Sequence, residues 1–217
     1  MGYLTIELKK VYRQQDEQFI SLLNQIRENK ASEATLQALN QRYVPNFVPP
    51  KEGNYIRLTT HNAPAQYINE QQLAALPAQL FSFTADIEGD FPETSYPADF
   101  KLTLKPGAQV MFIKNDPQHR FYNGMIGEVI GVRTDEDGSK ITVRSKDSGE
   151  EFDLEKMEWT NAKYTLNEKT KEIEETVEGK FMQYPLRLAW AITIHKSQGL
   201  TFEHAIIDAS HSFTHGQ

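Results

Sequence analysis

The chain has no cysteine, which excludes a disulfide framework and every thiolate metal site. It also has no long apolar run. The longest, Leu188 to Ile194, is far too short to span a bilayer. The first twenty residues carry Glu7, Lys9, Lys10, Arg13, Asp16 and Glu17, with no apolar segment of signal-peptide length. These absences lead us to expect a soluble, cytoplasmic protein without membrane contact. A phosphate loop is missing as well. G-x-x-x-x-G-K-[ST] occurs nowhere, and the only Gly-Lys pair, Gly179-Lys180, is followed by Phe181 and lacks the upstream glycine.

Excess positive charge is the last thing lacking. Net charge is −7 over 217 residues, which by itself argues against a stand-alone electrostatic nucleic-acid binder. The distribution qualifies that. Lys146 to Glu178 holds 11 acidic and 5 basic residues, and the remainder holds 19 acidic and 18 basic. The rest of the chain is therefore near neutral and could form one wall of a channel whose other walls carry the positive charge.

What is present is an ordinary globular composition, 39% hydrophobic and 24% charged, enough for one large domain or a medium one with an insert. Tyr3 to Leu8 alternates like a strand, and Asp16 is placed to cap a helix with Phe19, Ile20, Leu22, Leu23 and Ile26 on one face. Ser32 starts a second helix, and Val44 to Pro50 is a connector. Tyr55 to Thr60 reads as a strand, followed by a helix capped by Asn62, with Pro64 in its first turn and Pro77 beyond its end. Leu80 to Ala85 and Ala108 to Ile113 are further strands. From Asn115 to Tyr184 come short β-rich runs: Gly127 to Arg133, Ile141 to Arg144, Phe152 to Leu154 and Lys180 to Tyr184. Asp137-Gly138 and Ser148-Gly149 are hairpin signals there. His204 to Asp208 is a buried-strand pattern. The whole predicts an α/β layer domain carrying a small all-β barrel.

The chemistry concentrates in His195-Lys196-Ser197-Gln198-Gly199-Leu200-Thr201. A turn with a lysine, two hydroxyls and backbone amides at a helix start can hold phosphate oxygens, and glycine permits close backbone approach. Tyr184 to Glu203, which contains this turn, closely resembles motif V of the RecD/PIF-type helicases of superfamily 1B. Leu8 to Asp16, with Phe19 and Ile20 following, resembles motif IV. Leu58-Thr59-Thr60-His61-Asn62 with Ile68-Asn69 resembles the family's strand-end segment that touches single-stranded DNA. Leu104 to Met111, Asn115-Asp116, Asn123-Gly124 and Gly127 to Val129 resemble the entry into its inserted barrel, and Ser210 to Gln217 the run before motif VI.

The resemblance covers nearly the whole chain and implies a RecA-like (P-loop NTPase type) parallel-sheet domain without its own phosphate loop. Residues 1–114 and 185–217 would form this second motor domain, and 115–184 an inserted Src-homology-3-like β-barrel. It implies an ATP-dependent DNA helicase, 5′-to-3′, of which this chain is a piece inactive alone. ATP with Mg²⁺ would be the full protein's cofactor, single-stranded DNA and the N-terminal RecA-like domain its partners, and a monomer its state. Arg13 would be an arginine finger that neutralises charge developing on the terminal phosphate. Arg13, Gly199 and Glu203 would meet the nucleotide. Thr60, His61, Asn62, His195, Lys196, Ser197 and Thr201 would meet the DNA strand.

Rival readings remain. The barrel could serve a non-catalytic module that binds a basic protein partner through the acidic residues between Glu168 and Glu178. A hydrolase built on Ser197, His195 and Asp208 lacks the Gly-x-Ser-x-Gly elbow. His204, His211 and His215 show no metal motif, and no metal site is expected.

Overall fold

The computed structural model describes residues 16–50, 53–135, 138–166 and 172–208. Tyr3 to Leu8, Arg13 and Ser210 to Gln217 lie outside the described residues. Two compact units divide the chain, one within the first fifty residues and one spanning residues 51–213.

The first unit contains α1 (Glu17–Arg27) and α2 (Glu33–Asn40). Both expected caps are made. The Asp16 carboxylate accepts from the Phe19 amide at 3.0 Å. Ser32 and Thr35 form a reciprocal capping box, which satisfies amides that a helix start leaves without partners.

In the second unit, β1 (Ile56–Thr59) is the centre of a three-stranded parallel sheet. The helix α3 (Asn62–Ala75) follows it. Its cap differs from the sequence expectation: His61 is the capping residue, without a side-chain cap bond, and Asn62 is already helical. The hydroxyl of Thr59 donates to the His61 carbonyl at 2.9 Å, holding the chain extended for two more residues past the strand. Pro64 falls in the first turn, where its missing N–H costs nothing. The chain then forms β2 (Phe81–Thr84), β3 (Asp86–Gly89), a 3₁₀ turn at Glu93–Ser95 and β4 (Lys101–Leu104).

Next come β5 (Gln109–Phe112), β6 (Ile126–Asp135), β7 (Gly138–Ser145), β8 (Glu151–Leu154), β9 (Met157–Leu166), β10 (Ile173–Gln183) and β11 (Leu186–Leu188). A five-stranded antiparallel sheet runs β11-β5-β6-β7-β8. It draws in β5 and β11, which flank the stretch 115–184 on either side. The Ser148-Gly149 signal is the β7–β8 turn. Gly149 has φ +75, and the Ser145 hydroxyl accepts from the amides of Asp147 and Ser148. Phe112, Phe121 and Phe152 meet inside, with the first two rings stacked at 4.5 Å, and Val129, Ile141, Val143 and Leu186 close the core around them.

The β3-β10-β9 sheet is far longer than the expected Lys180 to Tyr184 strand. Ile173 to Glu178 and the facing Asn161 to Leu166 are exposed or only partly buried. A ribbon with water on both faces has no period-two apolar pattern to read. Where the ribbon meets β3, Gly89 pairs with Gly179. A methyl group on Gly179 would stand 2.2 Å from the Asp90 carbonyl oxygen, so only glycine fits this approach of two backbones.

The chain returns through β12 (Ala191–Thr193), the single turn α4 (Ile194–Ser197) and β13 (Ala205–Asp208). Both strands pair with β1 in parallel, giving the order β12-β1-β13. The architecture is thus α/β: a parallel sheet flanked by α3, with antiparallel sheets built from the segment between β1 and β12. Among the described residues no helix is long and apolar enough to cross a membrane.

Candidate nucleic-acid interface

Parallel strands in register deliver their carboxyl ends to the same edge of a sheet, and ligands of open α/β sheets bind outside that edge. Here Thr59 of β1 is paired with Thr193 of β12. The segments that leave these strands, Thr60-His61-Asn62 and Ile194 to Ser197, therefore emerge side by side, although more than 130 residues separate them in sequence. Two of the motifs singled out in the sequence are joined by strand pairing alone.

Within this edge the residues divide. His61, Asn62, His195, Lys196 and Thr201 are exposed and Ser197 half-buried, whereas Thr60 is buried. The Thr60 hydroxyl lies 2.8 Å from His61 Nδ1, so its visible task is to orient the imidazole. Asn69 is likewise turned inward. Its amide donates to the Ala191 carbonyl at 2.8 Å and accepts from the Ala191 amide at 2.9 Å, clamping α3 to β12. Asn69→Ala leaves both backbone groups without that partner. The expected cost is about 1–3 kcal/mol, read as a lower urea midpoint at unchanged m; an unchanged midpoint would show that water replaces the clamp.

The His195 turn has fewer open amides than its sequence promised. Thr193 caps α4, its hydroxyl accepting from the Lys196 amide at 3.3 Å. The Gln198 and Leu200 amides donate to the carbonyls of His195 and Ser197. The Ser197 hydroxyl donates to the Ile194 carbonyl at 2.7 Å and keeps lone pairs only for accepting. Gly199 has φ +82 with nothing within 4 Å of a would-be Cβ. It is required for its left-handed backbone, and the space above it is open.

Beyond the turn, Leu200 and Phe202 pack against the cluster of Ile56, Met111, Ile126 and Ile192. This seats Glu203 near Tyr122 and Asp147. Burial pushes the Asp147 carboxyl above its usual range, and the Glu203 charge adds to it. Burial raises the Tyr122 phenol too, with smaller contributions from Asp147 and Glu203.

On the other side of α4 a cleft of about 470 Å³ opens between α3, β12, β4 and β11. Asn62, Lys196, Lys101, Arg187 and Asp99 line it. Lys196 is exposed as a residue and lines this cleft. Loss of water pulls it below the usual lysine range, the Arg187 charge lowers it further, and Asp99 opposes the shift. The roles of Arg187 and Lys101 are not apparent in sequence. Arg187 lies within the Tyr184 to Glu203 stretch that resembles motif V, where no role was assigned to it. Among the described residues no cluster of three His, Asp or Glu side chains is arranged to hold a metal ion.

No protein-family model matches the sequence. The chain is 36% identical to the ATP-dependent DNA helicase Pif1 of Psychrobacter sp. over 242 residues, which cover 91% of this chain and 36% of that protein. It is 32% identical to the helicase of the same name from Bdellovibrio bacteriovorus, over all of this chain and 46% of that one. The chain thus spans between a third and a half of these relatives. The structure is similar to that of Bacteroides sp. Pif1 in complex with ADP-AlF4, with a TM-score of 0.81 at 38% identity over 94% of this chain and 46% of that one. Against Bacteroides Pif1 bound to single-stranded DNA the TM-score is 0.66 at the same identity, over 96% of this chain.

Proposed function

Because the chain is homologous over nearly its whole length to the Pif1 helicases of superfamily 1B, we propose that it is the second motor domain of an ATP-dependent DNA helicase, with the phosphate loop and Mg²⁺ carboxylate supplied by a preceding RecA-like domain. The observation that carries the reading is the juxtaposition of Thr60-His61-Asn62 with the His195 turn at one edge of the parallel sheet. These segments grip a single strand of DNA. Lys196 meets a phosphate, and His61, Asn62, His195, Ser197 and Thr201 line its path. Arg13, Gly199 and Glu203 belong to the nucleotide side. Opening and closing of the cleft between the two motor domains with each nucleotide then moves the strand, in the 5′-to-3′ sense, by a hinge motion of known type.

Lys196 separates this reading from a passive binding module. In the whole protein, DNA-stimulated ATP hydrolysis is measured against the concentration of an oligodeoxythymidylate. Lys196→Ala is expected to raise the half-stimulating concentration about tenfold, the effect of one lost charge-assisted phosphate contact. Absence of DNA-stimulated turnover in the folded, unsubstituted protein would refute the motor reading, and the antiparallel β sheets would become the place to seek a protein partner.

A further inference from the structure

Three cations line the cleft beside α4: Arg187, Lys101 and Lys196. None has an ion-pair partner among the described residues, although ion pairs do form at Asp116–Arg120, Lys156–Asp86 and Lys180–Glu158. Arg187 is the most unusual of the three. It is half-buried, and burial pulls its pKa down against the opposing influence of Asp99. Its guanidinium makes one hydrogen bond, to the Pro97 carbonyl at 3.1 Å. A guanidinium has five N–H donors in a planar fork. No fully buried side-chain donor in the described structure lacks a partner, so the remaining donors of Arg187 are not sealed from solvent, and the residue lines the cleft.

A partly dehydrated cation without a counter-charge is costly, and an arriving anion offsets that cost. The lining also fixes the anion's charge. Asp99 and Glu70 stand among the three cations, and Glu70 already accepts from Gln66 at 2.7 Å. Three positive and two negative groups balance one monoanion, not a polyphosphate. The cleft is continuous with Asn62 and Lys196, which the proposed function assigns to the DNA strand.

We propose that this cleft seats one backbone phosphodiester of the single strand, with Arg187 presenting its fork to the phosphate oxygens and Lys101 and Lys196 supplying the surrounding charge. Arg187 and Lys101 are then DNA-binding residues contributed by the antiparallel strands β11 and β4, so the strand is held jointly by both sheet systems. The Pro97 carbonyl positions the guanidinium, and Asp99 limits the field so that a singly charged group is preferred.

The inference rests on the helicase reading, and the experiment separates the two. In the whole protein, binding of a fluorescein-labelled oligodeoxythymidylate is followed by anisotropy across a salt series, with a fluorescent ATP analogue titrated in parallel. Arg187→Gln and Lys101→Gln are each expected to weaken DNA binding about tenfold and to flatten log K against log salt by about 0.7, the contribution of one phosphate contact on a single strand. Affinity for the ATP analogue stays within about twofold of the unsubstituted protein. Lys101 is exposed, so its substitution decides the matter even where loss of Arg187 disturbs folding. An unchanged salt slope in a folded Lys101→Gln protein overturns the proposal while leaving the helicase reading intact. Loss of nucleotide affinity with DNA affinity kept assigns the cleft to a nucleotide phosphate instead and overturns it as well. Failure of the unsubstituted protein to bind single-stranded DNA refutes both.

Discussion

Arg13→Ala is expected to lower DNA-stimulated ATP turnover of the whole protein by about three orders of magnitude or more, with ATP and DNA affinities changed far less. Phosphoryl transfer spreads negative charge over the transferring group's oxygens, and an arginine reaching across a domain cleft stabilises that charge chiefly in the transition state, which is worth about 10³–10⁵ in turnover. An interaction made only in the transition state lowers kcat and spares ground-state binding. The discriminating variant is Arg13→Lys. Lysine keeps the charge but loses the planar fork, so most of the defect should persist. The measurement is steady-state ATP hydrolysis at saturating single-stranded DNA, with binding of a fluorescent ATP analogue alongside. Turnover within about tenfold of the unsubstituted protein would remove Arg13 from the reaction, because a surface ion pair has no route to a larger effect.

Gln183→Leu is expected to destabilise the second unit by about 3–5 kcal/mol. Gln183 is completely buried. Its amide nitrogen lies 3.0, 3.2 and 3.3 Å from the carbonyls of Phe83, Asp99 and Phe100, and its amide oxygen accepts from the Tyr184 backbone at 3.0 Å. One side chain thus ties the end of β10 to β2 and to the segment entering β4. Leucine has a similar volume, so packing changes little, but the backbone groups lose their partner where water is excluded. Urea unfolding should give a markedly lower midpoint at unchanged m. A loss below about 1 kcal/mol would mean that a water enters and takes over the amide's bonds. Because Asp99 is one of the tied residues, the Arg187 cleft should loosen too, and DNA affinity measured well below the midpoint should fall with it.

Much of this was legible in sequence, for reasons that can be named. Asp16 and Ser32 were readable as caps because capping is local chemistry between residues three apart. Ile56 to Thr59 was readable as a strand because burial leaves an apolar imprint. Ala205 to Asp208 is a strand as its apolar run suggested, but not the buried one expected: Ile206 is only partly buried and its neighbours are exposed. The Ser148-Gly149 turn was readable because it needs a residue at positive φ. Asn62 was misassigned as a cap because the position at which a helix begins depended on a hydroxyl, that of Thr59, fixing the preceding residues. The β9–β10 ribbon was invisible beyond its buried end because solvent on both faces leaves no pattern.

By itself, the sequence determined the fold class, the family and the identity of the turn from His195 to Thr201, since these reside in contiguous residues whose spacing and chemistry need no partner to be recognised. Only the tertiary structure decided which of those residues face outward. It turned Thr60 toward the His61 ring and Asn69 toward the Ala191 backbone, because polar groups taken from water are kept hydrogen-bonded within the fold. It also brought Arg187 and Lys101, from strands β11 and β4, into one cleft with Lys196. These strands pair with different neighbours, β11 with β5 and β4 with β2, and no local pattern encodes that the two sheets meet there.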